Sequence, residues 1–168
     1  MFAYDYCMKK KTVSIILWVL VVLWIGLIFF MSSQPAEISK NVSKGTLEKI
    51  YDISHNDKDI SPQEYREKAD DFIAINHKDI RQAAHFLLFF VLGLLVSCAS
   101  LYSLNNLHKY FIPFAAAIIY PFIDESYQIL IPGRAFEFND ILVDFQGMLG
   151  GCVLIFLVFG VTKLIKKK

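Results

Sequence analysis

Five carboxylates stand close together around a Pro-Gly-Arg turn, between two long apolar runs. They are Asp124, Glu125, Glu137, Asp140 and Asp144. Carboxylates can bind cations, accept hydrogen bonds from hydroxyl groups and act as acids or bases. Placing a charge inside a membrane helix costs roughly 2.5–3.5 kcal/mol at the bilayer centre. Acids kept in such a sequence therefore need partners, and they mark a candidate binding or catalytic site.

Other polar residues adjoin apolar segments elsewhere in the chain. Arg81 and His85 are four residues apart, which places them on one face of a helix. A group of hydroxyl and amide side chains, Ser32, Ser33 and Gln34, follows the first apolar run. His85 with Asp124 and Asp144 could serve as acid, base or ligand, so these three are the candidate catalytic residues.

Four apolar segments are the candidates for the elements that position these residues. Apolar residues make up 55% of the 168-residue chain. Residues 13–31, 83–101, 110–130 and 141–161 are each long enough to cross about 30 Å of hydrocarbon. The sequence therefore predicts an all-α membrane protein, with one domain over residues 1–168. Four transmembrane helices form its bundle, and residues 32–80 form an outer amphipathic loop between the first two.

Lysine distribution predicts the orientation of the bundle. Lysines are dense before the first span and after the last, at positions 9–11, 163 and 166–168. Such clusters mark the cytoplasmic side of a membrane protein. We therefore expect a multi-pass protein of the cell membrane with both termini in the cytoplasm. All the unusual polar residues then lie at the outer ends of the spans.

Two helices are predicted within the outer loop. Ser61-Pro62-Gln63-Glu64 is a capping box with proline at the first helical position. A weaker amphipathic pattern precedes it, from Ile38 to Tyr51. We expect both helices to lie on the bundle or at the membrane surface as a lid.

The acids of the last two spans fall on helical stripes with small residues. Asp140 and Asp144 are followed at the same spacing by Gly147 and Gly151, and Asp124 shares a stripe with Ala117 and Gln128. Small residues permit close approach of membrane helices. These stripes therefore predict acids that point into the bundle.

Three segments together resemble the VanZ-like family of bacterial membrane proteins. They are FMSSQPA-x-x-S-x-x-x-S over 30–43, R-x-x-A-H-F-x-x-F-x-x-L-G over 81–93 and D-E-x-x-Q-x-x-x-P-G-R-x-x-E-x-x-D-x-x-x-D-x-x-G over 124–147. The resemblance implies a site formed by Ser32, Ser33, Gln34, Arg81, His85, Asp124, Glu125, Gln128, Pro132, Gly133, Arg134, Glu137, Asp140 and Asp144. One departure is that Leu88 and Phe89 stand where many relatives have Glu-Tyr. The founding member is associated with teicoplanin resistance, which implies an effect on glycopeptide susceptibility.

Several functions fit these residues. The first is binding or modification of a cell-envelope molecule, such as a lipid head group or a lipid-linked wall precursor, and a glycopeptide is a further candidate partner. A membrane-embedded hydrolase or transferase using His85 is the alternative. A structural scaffold is a weaker one, in which Arg81 and Arg134 neutralise Asp124 and Asp144. A transporter is disfavoured because the inner halves of the spans are apolar. The sequence has no basic-aromatic pattern of the kind that binds nucleic acid. Besides these candidate molecules, the predicted partner is the lipid bilayer. The sequence identifies neither a cofactor nor a metal.

Overall fold

The computed structural model describes residues 2–54 and 61–166, and these residues form five α-helices and no strand. The helices are α1 (Phe2–Ser32), α2 (Ala36–Ser54), α3 (Pro62–Ser103), α4 (His108–Gln128) and α5 (Phe138–Ile165). The predicted all-α class is confirmed. Residues 55–60 of the predicted outer loop, with Lys167 and Lys168 of the basic C-terminal end, lie outside the described residues.

Among the described residues, three helices are long and apolar enough to cross a membrane. They are the Lys11–Ser32 part of α1 and the whole of α3 and α5. Helix α4 does not belong to this group, since its last turns carry Asp124, Glu125 and Gln128. Three of the four expected spans therefore have a membrane-capable helix. The fourth span and the sidedness of the termini stay predictions.

The structure differs from the sequence-based expectation in the length of α3. The sequence predicts a separate amphipathic helix before the second span, whereas α3 runs unbroken for 42 residues. Its start is as predicted, because the Ser61 hydroxyl accepts a hydrogen bond from the Glu64 N–H at 3.2 Å. No proline follows Pro62 in this segment, so nothing breaks the helix. At 1.5 Å per residue, α3 is about 63 Å long and extends well beyond the hydrocarbon thickness.

Helix α3 is the centre of the fold and contacts each of the other four helices. Helix α2 packs on the N-terminal half of α3 through Leu47 and Tyr51, which are 3% and 4% exposed. The Tyr51 ring lies 5.2 Å from that of Tyr65 and 5.4 Å from that of Phe72. These aromatic contacts hold α2 against α3.

Backbone contact joins α3 and α5 at three glycines. A Cβ atom added at Gly147 would collide with the Phe86 carbonyl, and one at Gly151 with the Phe90 carbonyl. From the other side, a Cβ atom at Gly93 would collide with the Met148 carbonyl. This close approach confirms that the predicted glycine stripe of α5 faces the bundle. It also sets the height of the α5 acids against α3.

The outer surface of the helices is apolar. Val22 and Leu23 of α1 are 66% and 64% exposed, and similar side chains cover α4 and α5. An extended exposed apolar surface normally marks contact with a membrane or a partner. The helices therefore carry apolar residues on the outside and bury several acids inside. This distribution is the reverse of the one in a soluble protein.

Candidate functional site

A group of polar side chains is buried where α1, α3, α4 and α5 meet, and we call it the buried polar cluster. Its acids are almost completely inaccessible: Asp124 is 3% exposed, Glu125 0%, Asp140 5% and Asp144 0%. Its other members are Ser32, Arg81, His85, Gln128 and Arg134. The acids therefore point inward, as the stripes predict.

Asp124 is held by a chain of hydrogen bonds from two helices and a loop. Its Oδ2 accepts from Ser32 Oγ at 2.8 Å and from Gln128 Nε2 at 2.9 Å. The Gln128 Oε1 atom accepts in turn from Arg134 Nη1 at 2.7 Å. Gln128 thus stands between the carboxylate and the guanidinium, and Asp124 meets Arg134 only indirectly.

Arg134 lies in the connection between α4 and α5, behind the predicted Pro132-Gly133 turn. Gly133 has φ 76°, a conformation that favours glycine and confirms the turn. The Arg134 Nε atom donates to the Gln34 carbonyl at 3.1 Å. Burial lowers the pKa of Arg134, and the nearby charge of Arg81 lowers the pKa further. An arginine pKa begins so high that the side chain keeps its charge.

A second network surrounds Asp140 at the start of α5. Its Oδ2 accepts from Arg81 Nη2 at 3.2 Å, and its Oδ1 accepts from Gln82 Nε2 at 3.3 Å. Arg81 also lies 3.5 Å from Glu137 Oε1, and Lys78 Nζ lies 3.3 Å from Glu137 Oε2. Arg81 therefore forms ion pairs with both Asp140 and Glu137.

Glu125 connects α4 to the beginning of α5. Its Oε1 accepts a hydrogen bond from the Glu137 backbone N–H at 2.6 Å. Glu137 is the N-cap residue of α5, and its own side chain makes no capping bond. A buried acid of the neighbouring helix thus satisfies a backbone donor at this helix end, while Glu125 Oε2 has no hydrogen-bond partner among the described residues.

Asp144 and His85 form a third group within the cluster. His85 Nδ1 lies 3.4 Å from Asp144 Oδ1, within ion-pair range. The contact lacks hydrogen-bond geometry, and neither His85 Nδ1 nor either Asp144 carboxylate oxygen has a hydrogen-bond partner among the described residues. The direct pairing of Arg81 and Arg134 with Asp124 and Asp144, which belongs to the scaffold alternative, is absent among the described residues. Both arginines face other groups.

Two predicted site residues lie beside the cluster. Ser33 Oγ donates to the Phe30 carbonyl at 2.7 Å, and Gln34 Nε2 donates to the same carbonyl at 3.2 Å. Both side chains therefore satisfy a backbone carbonyl in the last turn of α1 and do not enter the cluster. Only the backbone carbonyl of Gln34 reaches a cluster residue, Arg134.

Sequence reasoning missed a cavity beside the cluster. The cavity has a volume of about 220 Å³ and lies between α2 and α3, and four of its seven lining residues have basic side chains. The lining residues are Ala36, Lys40, Ser43, His77, Lys78, Arg81 and Glu137. Lys78, Arg81, Gln82 and His85 follow helical spacing on α3, so the periodicity used for Arg81 and His85 could have been extended by one turn. Lys40 had no such signal, because it lies on another helix.

Comparisons with known proteins agree with the resemblance found in the motifs. No curated protein and no solved structure matches the chain. A family model described as VanZ/LLP1 matches residues 17–159. The match includes most of the apolar part of α1, all the buried acids and most of α5. The chain belongs to the VanZ/LLP1 family.

Proposed function

We propose that the chain binds the polar head group of a cell-envelope molecule, a lipid head group or a lipid-linked wall precursor, at the outer end of its helices. In this proposal α4 is the fourth transmembrane span, both termini are cytoplasmic and the buried polar cluster faces the extracytoplasmic side. An effect on glycopeptide susceptibility, including teicoplanin, would follow from binding such a molecule.

The observation that carries the proposal is the cavity between α2 and α3. Lys40, Lys78 and Arg81 line it, and lysine and arginine are the usual partners of phosphate groups. Arg81 and Glu137 belong both to this cavity and to the networks around the acids. A head group with a phosphate and hydroxyl or amino groups would therefore find cations at the entrance and carboxylates behind it.

The height of the cavity on α3 fits a head group. His77, Lys78 and Arg81 stand immediately before the apolar segment 83–101. Since α3 is about twice as long as the hydrocarbon is thick, its apolar half occupies the membrane and its polar half projects beyond it. The cavity then lies at the interface, where phosphates of envelope lipids are found.

The environment of Asp144 favours a ligand-binding site over a scaffold. A carboxylate that fastened helices would pair with a cation or accept hydrogen bonds, since an isolated buried charge is strongly destabilising. Asp144 is completely buried, its oxygens accept no hydrogen bond from the described residues, and both arginines are engaged elsewhere, which leaves the histidine His85, at 3.4 Å, as its neighbour of ion-pair type. A bound ligand that contacts Asp144 would offset the free-energy cost of burying this carboxylate, whereas a scaffold role would not.

A membrane-embedded hydrolase or transferase is the second candidate, and the His85–Asp144 pair favours it. A carboxylate beside an imidazole can orient the ring and stabilise its protonated form, as an acid–base catalyst requires. Here Nδ1 of His85 faces Asp144 Oδ1 at 3.4 Å. Release of a cleaved or transferred product from the copurified molecule would distinguish catalysis from binding.

The test is mass spectrometry of lipids that copurify with the protein in mild detergent. The variant Lys40→Gln/Lys78→Gln removes two cavity cations, and Lys44→Gln/Lys49→Gln removes two exposed α2 cations outside the cavity as the matched control. We expect the wild type and the control to retain a phosphate-bearing envelope molecule in similar amounts. The cavity variant should lose most of it.

Two results would contradict the proposal. One is a wild-type lipid profile identical to that of the membrane extract, which would mean that no envelope molecule is selected. The other is equal retention by the cavity variant and its control, which would place binding elsewhere. Susceptibility to teicoplanin, measured in cells expressing each variant at equal protein level, should follow the retained molecule.

A further inference from the structure

Three residues of the buried polar cluster are arranged as metal ligands. His85, Asp124 and Asp144 can each present one ligand atom so that the three atoms lie within 4.8 Å of one another. They come from α3, α4 and α5 respectively. Residues from three helices therefore converge on one point, and no short sequence motif contains them together.

Asp144 provides an independent observation at the same point. Its side chain is 0% exposed, and neither carboxylate oxygen accepts a hydrogen bond from the described residues. His85 Nδ1 also lacks a partner and lies 3.4 Å from Asp144 Oδ1. Buried polar atoms in proteins are nearly always satisfied, so unpartnered atoms converging on one point call for an unseen partner.

Charge balance indicates the nature of that partner. Arg81 faces Asp140 and Glu137, and Arg134 faces Gln128 and the Gln34 carbonyl. Metal ligands bind in their deprotonated form, so two aspartates and one neutral imidazole bring a formal charge of −2 to a bound ion. A divalent cation balances that formal charge. An ion would also bond directly to the oxygens that now accept nothing.

The donor set indicates a transition metal, and the spacing of one ligand pair agrees with it. Imidazole nitrogen and carboxylate oxygen together suit zinc and its neighbours, whereas calcium and magnesium prefer oxygen alone. Zinc–ligand distances of about 2.1 Å place two ligand atoms about 3.4 Å apart at a tetrahedral angle. The His85–Asp144 separation is 3.4 Å, which is long for a hydrogen bond but suits two ligands of one ion.

We propose that His85, Asp124 and Asp144 bind one divalent transition-metal ion of the zinc class. The ligand Asp124 is oriented by Ser32 and Gln128, which both donate to its Oδ2. Such outer hydrogen bonds are typical supports of metal ligands. Three protein ligands leave a fourth position for water or for an oxygen of a bound molecule.

Metal binding goes beyond the head-group proposal and can be tested without any lipid. Only the occupant of the fourth position rests on the proposed function, because a phosphate oxygen could bind there. If the protein binds the ion but no envelope molecule, the metal proposal stands and the head-group proposal fails. Lipid retention without the ion would do the opposite.

The experiment measures metal content by elemental mass spectrometry. The full chain is purified in detergent, stripped with a chelator and reloaded separately with Zn²⁺, Mn²⁺ and Ca²⁺. The variants are Asp144→Asn and Asp124→Asn, with Asp71→Asn as the control for the loss of one carboxylate. Asp71 is an exposed acid of α3 and lies outside the buried polar cluster.

We expect about one Zn²⁺ or Mn²⁺ per wild-type chain and per control chain. Removing a residue that only hydrogen-bonds to a metal ligand lowers metal affinity by roughly 10–100-fold. Asp144→Asn and Asp124→Asn each remove a ligand itself, so their affinity for the metal should fall by at least as much. X-ray absorption of the zinc-loaded wild type should show nitrogen and oxygen neighbours, including one imidazole, and this measurement needs no variant to fold. Absence of stoichiometric Zn²⁺ and Mn²⁺, binding of Ca²⁺ alone, or equal affinity in the folded Asp144→Asn and Asp124→Asn variants would each overturn the proposal.

Discussion

Replacing Gly147 by alanine should both destabilise the bundle and disturb the buried polar cluster. The added Cβ would collide with the Phe86 carbonyl, which is a backbone atom and cannot rotate away. Restoring a normal van der Waals separation requires α3 and α5 to move apart by about 1 Å. Asp144 lies one turn before Gly147, and His85 directly precedes Phe86. The same movement would therefore lengthen the 3.4 Å His85–Asp144 contact.

The energetic effect combines two opposing contributions. Overpacking of a close contact costs about 1–3 kcal/mol, whereas alanine in place of glycine inside a helix gains about 0.5–1 kcal/mol. The collision is the larger contribution, which leaves a net loss of up to about 2.5 kcal/mol. Any binding that needs Asp144 and His85 together should weaken in addition.

The matched control is Gly160→Ala on the same helix. A Cβ atom at Gly160 would meet nothing within 4 Å, so only the helix-propensity gain applies. Thermal unfolding in detergent should therefore place Gly147→Ala below the wild type and Gly160→Ala at or above it. Equal unfolding temperatures for the two variants would refute the inference that α3 and α5 touch through their backbones at Gly147.

Two further predictions concern the hydrogen-bond network and the topology. Gln128→Leu removes the bonds to Asp124 and Arg134 and should cost about 2–4 kcal/mol of stability in thermal unfolding, since each bond involves a charged group. Gln34→Leu is its control, because that side chain bonds only a helix-end carbonyl, and an equal cost would contradict this role of Gln128. A cysteine at Asn139 should react with a membrane-impermeant reagent in intact cells and one at Asn106 should not; the reverse labelling would move the cluster to the cytoplasmic side.

Local patterns in the sequence determine much of the fold. The apolar runs predict the membrane-capable helices, and Ser61 and Pro62 predict the start of α3, because length, hydropathy and capping depend on neighbouring residues. The helical spacing of Asp140, Asp144 and Gly147 predicts a buried stripe for the same reason. The length of α3 escaped prediction, because a change from polar to apolar sequence resembles a boundary even where no residue breaks the helix.

The partners of the buried acids are decided only by the tertiary structure. The sequence places Arg81 and Asp144 at similar depth, yet Arg81 pairs with Asp140, one turn away along α5. A shift of one helical turn is about 5.4 Å, which is enough to exchange one partner for another. That register is set where the backbones of α3 and α5 meet at Gly93, Gly147 and Gly151. Composition and periodicity give each helix a buried face, but relative height arises only from packing, and it is this height that leaves Asp144 facing His85 without an arginine.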